Sequence, residues 1–192
     1  MKKISRSALT VTLCLLVILI ILTVEENRLS QTNQELQNSY DYITAIQEIT
    51  GIGPFKGEHL HADLKIYING KEFDINREEF YEKNGFTHVH EGENNKDVVH
   101  VHAEGITLGH FLTSIGMEPS LTCIAVDELE YCTVLGKRLR YVVNGASVPE
   151  GPHYIIKDLD RILVSYGADS QEELLEEIES IGDIACIQSD KC

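Results

Sequence analysis

Seventeen consecutive residues, 8–24, carry no charged side chain. So long an apolar run has few stable places in water, and this limits what the rest of the chain can become. At about 1.5 Å of rise per residue, a helix of this length just spans a bilayer core. Lys2, Lys3 and Arg6 precede the run, and Glu25-Glu26-Asn27-Arg28 follows it with no small-residue cleavage signal between. The pattern reads as an uncleaved signal anchor. By the positive-inside rule, residues 1–7 stay cytoplasmic, 8–24 cross the membrane, and the body lies outside. A cleaved secretory signal would export the same body. A prepilin-like leader cut near Arg6-Ser7 would leave the apolar helix for filament packing, but the usual early acidic residue is missing. Cys14 lies inside the run and not after it, which argues against a lipoprotein.

The exported part is acidic. Three of the 16 Lys/Arg and none of the 31 Asp/Glu precede Glu25, leaving 13 against 31, a net −18 with His neutral. Such a field repels nucleic acid and draws cations. Five cysteines suit an oxidising compartment. Cys123 and Cys132 bracket a short segment that folds about Asp127-Glu128, which predicts a disulfide across a hairpin. Cys186 and Cys192 could form a second bridge or link two chains. Cys-x-x-Cys is absent, against a dithiol active site of the thioredoxin type.

Residues 25–57 read as a helical stalk and linker. Leu22, Leu29, Leu36 and Ile43 recur every seven residues, half of a coiled-coil seam, which leaves self-association or a partner in a membrane complex open. Gly51-Ile52-Gly53-Pro54 ends the helix. Residues 58–168 then alternate strand and turn signals. Asn69-Gly70 follows a β-forming run and the same phrase returns 75 residues on at Asn144-Gly145, each a hairpin signal. Leu108, Phe111, Leu112 and Ile115 form one apolar helix face between Gly105 and Gly116. Asp160 to Tyr166 is apolar enough for a central strand. Residues 169–192 hold a capping box at Ser170-Gln171-Glu172-Glu173, a helix with Leu174, Leu175, Ile178 and Ile181 as its stripe, and a Cys-containing tail. The expected fold is α+β, a mixed sheet packed on one or two helices.

Three phrases in this order resemble β-grasp domains: His100-Val101-His102-Ala103 through Leu108, Tyr141-Val142-Val143-Asn144-Gly145, and Lys157 to Val164. The segment 156–164 is similar to the last strand of ubiquitin-like sulfur carriers. Those carriers end in Gly-Gly and this sequence ends Ser-Asp-Lys-Cys, so sulfur transfer is not implied. The whole body also resembles a set of archaeal membrane-anchored proteins. The matching phrases are His59-x-His61-Ala62-Asp63, Val99-His100-Val101-His102-Ala103, Thr107-Leu108-Gly109 and the run from Asp160 to Gly167. Members of that set sometimes carry a protein-disulfide-isomerase label, which the missing Cys-x-x-Cys does not support here.

The chemistry rests on histidine. Six of the eight histidines form three His-x-His pairs: His59/His61, His88/His90 and His100/His102. On a strand each pair presents two imidazoles to one face. A hairpin with its tip near Asn95 would set His90 opposite His100 and His88 opposite His102, and any even register keeps the four rings together. Clustered neutral imidazoles suit Zn or Cu, with Glu91, Asp97 and Glu104 as nearby acidic partners. The alternatives are a solvated histidine face opposite the valines and a pH sensor. His59 and His61 either join the hairpin site or form their own, and His110 and His153 read as ordinary polar residues. No nucleophile elbow, phosphate loop or His-Glu-x-x-His helix occurs. A membrane-anchored, extracytoplasmic metal-binding protein is therefore expected; a structural, assembly or adhesion module is the alternative.

Overall fold

The computed structural model describes residues 6–192; the basic opening at residues 1–5 lies outside them. The chain packs as two units, one ending at Thr50 and one running Gly51–Cys192. The first is a single helix, α1 (Arg6–Thr50). It contains an 18-residue window of mean hydropathy 2.3, long and apolar enough to cross a membrane. No Gly or Pro interrupts it, so the apolar run and the polar stalk form one continuous rod. Leu22, Leu29, Leu36 and Ile43 are all exposed on it.

The second unit is mixed α+β. Its elements are β1 (Leu60–Ile68), β2 (Lys71–Glu72), β3 (Thr87–His88), β4 (Val98–Val101), α2 (Leu108–Ser114), β5 (Glu118–Pro119), β6 (Cys123–Val126), β7 (Leu129–Cys132), β8 (Lys137–Val143), β9 (Ala146–Ser147), β10 (Arg161–Ala168), α3 (Gln171–Glu179) and α4 (Ile184–Gln188). The main sheet runs β3-β4-β1-β10-β8-β9. β1 and β10 are parallel at its centre, with Leu64 opposite Ile162. β4 and β8 flank them in the antiparallel sense. β2 joins the far half of β1, on the edge whose near half β4 occupies.

Both Asn-Gly phrases are tight turns with both residues left-handed: φ is 53° and 72° at Asn69-Gly70, and 53° and 79° at Asn144-Gly145. This is the twist-matched turn that closes two-residue hairpins. They sit at opposite ends of β10: the Asn69 N–H donates to Tyr166 O (2.6 Å), the Asn144 N–H to Arg161 O (2.9 Å). β5, β6 and β7 form a separate small sheet with Cys123 directly opposite Cys132. Those two are disulfide-bonded, as are Cys186 and Cys192.

Strand alternation divides the main sheet into two faces. Ala62, Leu64 and Ile66 of β1, Ile162 and Val164 of β10, and Val99 and Val101 of β4 pack in the main core with Leu108, Phe111 and Leu112 of α2. Thr107 caps α2 with its side chain, and the His110 ring accepts from the Thr107 N–H (3.0 Å), closing the box. His110 is thus a capping residue, which explains its presence in the first turn. Gly109 lets the chain at Pro152 approach: a Cβ there would lie 2.8 Å from Pro152 O.

The opposite face is covered too. Val142 and Leu163 pack there with Ile181, Tyr67, Leu174 and Ile178, so α3 lies on the side away from α2. Ser170 caps α3 as its sequence predicts. Leu175 does not belong to the packed stripe, being 55% exposed, and Glu177 is buried instead. α4 continues along this face, with the Ala185 N–H donating to Asp63 Oδ1 (3.1 Å).

Phe111 fills the space between α2 and the sheet and is fully buried. Phe111→Ala should cost about 3–5 kcal/mol in denaturant unfolding. A loss under about 1 kcal/mol would contradict this packing.

Candidate metal centre

β4 lies between β1 and β3, and the six paired histidines come from these three strands and their ends. His61 and His88 are both register partners of His100. The expected pairs, His90 with His100 and His88 with His102, do not form. The ladder is displaced by two residues, with Thr87 opposite Val101. The cause is the shortness of β3. After His88 the chain leaves β4, Val89 pairs with Tyr81, and a 3-10 turn (Glu93–Asn95) with Asp97 at φ 62° completes the return. An even displacement preserves facing: Val89, Val99 and Val101 enter the core while the histidines point away from it.

The six rings meet in a closed circuit. Successive centroids are 4.7 Å apart for His59–His61, 4.5 Å for His61–His100, 4.4 Å for His100–His90, 4.6 Å for His90–His88, 4.9 Å for His88–His102 and 4.8 Å for His102–His59. His59 and His61 therefore join the hairpin histidines. The cluster is no solvated face, because His61, His88 and His100 are buried. α4 packs beside it, with Gln188 Nε2 donating to Asn94 O (2.6 Å). A cleft of about 690 Å³ opens onto the rings, with Phe55, Lys56 and Gln188 at its border.

Neighbouring groups set the tautomers. Asn84 O can only accept, so His88 Nδ1–H donates to it (2.8 Å) and His88 Nε2 carries a lone pair. His90 Nδ1 contacts Glu82 Oε1 (3.1 Å), which makes its Nε2 the unprotonated nitrogen of the neutral ring. These two Nε2 atoms face each other at 3.2 Å. Two lone pairs cannot bond; a proton on one of them or a metal ion between satisfies both. Two ligands on a tetrahedral ion at about 2.0–2.1 Å are separated by roughly 3.3 Å. Ser189 donates to Asp158 Oδ1 (3.4 Å) and so accepts from His61 Nδ1–H (2.8 Å), again leaving Nε2 free. Each of these partners orients an imidazole from behind, as partners of metal-binding histidines do.

His100 is the exception. Both its ring nitrogens are buried and neither has a hydrogen-bond partner among the described residues. Leaving buried polar atoms unsatisfied costs roughly 1–3 kcal/mol each. Burial and then the neighbouring His61, His90, His88 and His59 press its pKa down to about 3. Burial also lowers His61, His88 and His102. Each of these four shifts favours the neutral ring, the form that binds metals. The ligand atoms of His59, His61 and His100 all lie within 4.8 Å of one another, so one ion can be held by the three.

The acidic residues that sequence proximity suggested do not serve the rings. Asp97 pairs with Lys65 (2.6 Å) and accepts from Asn76 Nδ2 (2.6 Å), while the main-chain carbonyls of Glu91 and Glu104 accept from Asn95 Nδ2 and the Gly53 N–H. Glu82, Asn84, Asp158 and Ser189 take that place, and no motif spacing announced them. Cys123, Glu130 and Cys132 also lie within reach of one ion, but the two sulfurs are bonded to each other and become thiolate ligands only on reduction. His153 lies apart, exposed in a 3-10 turn (Gly151–His153).

Acid should destabilise the metal-free protein. A histidine whose folded pKa lies below its unfolded value of 6.5 takes up its proton more readily in the unfolded chain, so stability falls as pH drops below 6.5. For His100 the loss between pH 7 and pH 5 is about 2 kcal/mol. The raised carboxyls of Asp63 and Glu177 pull the other way. The comparison is therefore wild type against His100→Gln in chelator, by denaturant unfolding at both pH values. Wild type should lose about 2 kcal/mol more than the variant; equal losses would contradict the buried neutral ring. The chain matches no family model, no curated protein and no solved structure, so the chemistry of the six rings is what bears on its function.

Proposed function

We propose that this is a membrane-anchored, extracytoplasmic protein whose histidine cluster binds zinc or copper. The observation that carries the reading is His100, with two partnerless ring nitrogens buried among five other imidazoles. A cation bonded to one of these nitrogens, beside His59 and His61, gives it the partner it lacks. Imidazole ligands without thiolate favour zinc or copper over the hard cations magnesium and calcium. Three imidazoles leave a fourth position on a tetrahedral ion, and the cleft gives that position access to solvent. The site therefore suits carrying, buffering or sensing a metal in exchange with the medium.

The membrane reading rests on the apolar first half of α1 and the basic residues before it. The parallel β1–β10 pair with antiparallel neighbours and α2 on one face supports a β-grasp-like body. Kinship with the archaeal membrane-anchored set belongs to the same proposal. A second reading, assembly through α1, is favoured by the exposed stripe of Leu22, Leu29, Leu36 and Ile43. It is compatible with the first.

Full-length protein purified in mild detergent, equilibrated with zinc and desalted, should retain the metal by elemental analysis. A His59→Ala/His61→Ala/His100→Ala variant should retain little. Near-zero zinc and copper in both proteins would sink the proposal.

A further inference from the structure

We infer that the ring circuit holds two ions, one on either side of His100. This rests on the metal-binding reading and deepens it. His100 of β4 and His102, just past its end, stand 6.4 Å apart between two lobes. One lobe is closed by His59 and His61 at the β1 side, the other by His88 and His90 at the β3 side. In the β1 lobe, the ligand atoms of His59, His61 and His100 all lie within 4.8 Å of one another. In the β3 lobe, the His88 and His90 Nε2 atoms face each other at 3.2 Å, close to the separation of two ligands on one ion. The third ring of each lobe touches His100 as well, His61 at 4.5 Å and His90 at 4.4 Å.

One ion cannot serve both lobes. Midway between His100 and His102 it would meet two rings and leave His61 and the facing His88 and His90 nitrogens unused. Two ions use what each lobe offers. His59, His61 and one nitrogen of His100 hold the first. His88, His90 and the other nitrogen of His100 hold the second. The second bond to His100 forms as its remaining N–H bond breaks, with the proton passing to water and the ring left as an imidazolate between two cations. This accounts for both partnerless nitrogens of one ring, where a single ion accounts for one. Each lobe also has a carboxylate behind one histidine: Asp158 through Ser189 on His61, and Glu82 on His90. Their charges offset the repulsion of neighbouring cations.

The test uses full-length protein in detergent, titrated with Cu²⁺ and read by elemental analysis and electron paramagnetic resonance. Wild type should plateau at two ions per chain, and the isolated-Cu²⁺ signal should weaken as the second equivalent couples to the first. His59→Ala and His90→Ala, at the less buried ends of the two lobes, should each reduce the plateau to one ion and keep the uncoupled signal. A wild-type plateau at one ion would overturn the paired site and leave the metal-binding reading intact. No retained copper or zinc would overturn both. Two ions whose signal grows linearly, or that survive both substitutions, would put the second ion elsewhere and overturn the inference.

Discussion

β1 lies between β10 and β4, hydrogen-bonded to both, and strand alternation gives its two sets of side chains to two environments. Ala62, Leu64 and Ile66 enter the core beneath α2, while His61, Asp63 and Lys65 take the other face. The same strand therefore closes the core and aims the histidines. β4 repeats the division, with Val99 and Val101 inward and His100 outward. A slip of one residue between these strands would expose the valines and drive imidazoles into the core, so hydrophobic burial itself holds the rings in place. β10 anchors the arrangement from its central, almost wholly buried position.

Packing six imidazoles together sets two electrostatic demands against each other. Protonated rings would repel one another, and burial raises the cost of charging them. Neutral rings carry lone pairs that need a donor or a cation. His61, His88 and His90 each place Nδ1 on a neighbouring oxygen, and the Nε2 atoms of His88 and His90 face each other. His100 places neither of its nitrogens so. With fixed tautomers on the periphery and an unsatisfied centre, the cluster could hold a cation. The C-terminal tail takes part: Ser189 and Lys191 both engage Asp158, and Cys186–Cys192 closes the segment that carries them.

Local signals were legible in the sequence, and long-range ones were not. The apolar run, both Asn-Gly turns, the α2 face, the Ser170 cap and the Cys123–Cys132 pairing each depend on residues close in the chain, and each has its element in the structure. Parity of the four hairpin histidines could be read because an even displacement changes partners without changing faces. The partners themselves could not. His88 meets His100 because β3 stops after two residues and the connecting turn takes up the slack, a compromise between Val89 burial and loop closure. Ser189 reaches His61 across 128 positions, and Glu82 reaches His90 from outside any strand, so neither has a spacing to find. His110 is a different case. Three residues after Thr107, it occupies the reciprocal position of a capping box, where Glu or Gln is the usual occupant.

Anomalous diffraction at the zinc absorption edge, from crystals grown with zinc, tests the proposed metal centre most directly. An anomalous peak is expected within bonding distance of a His100 ring nitrogen, with the His59 and His61 nitrogens turned toward it. A well-ordered histidine cluster with no peak among its rings would contradict it.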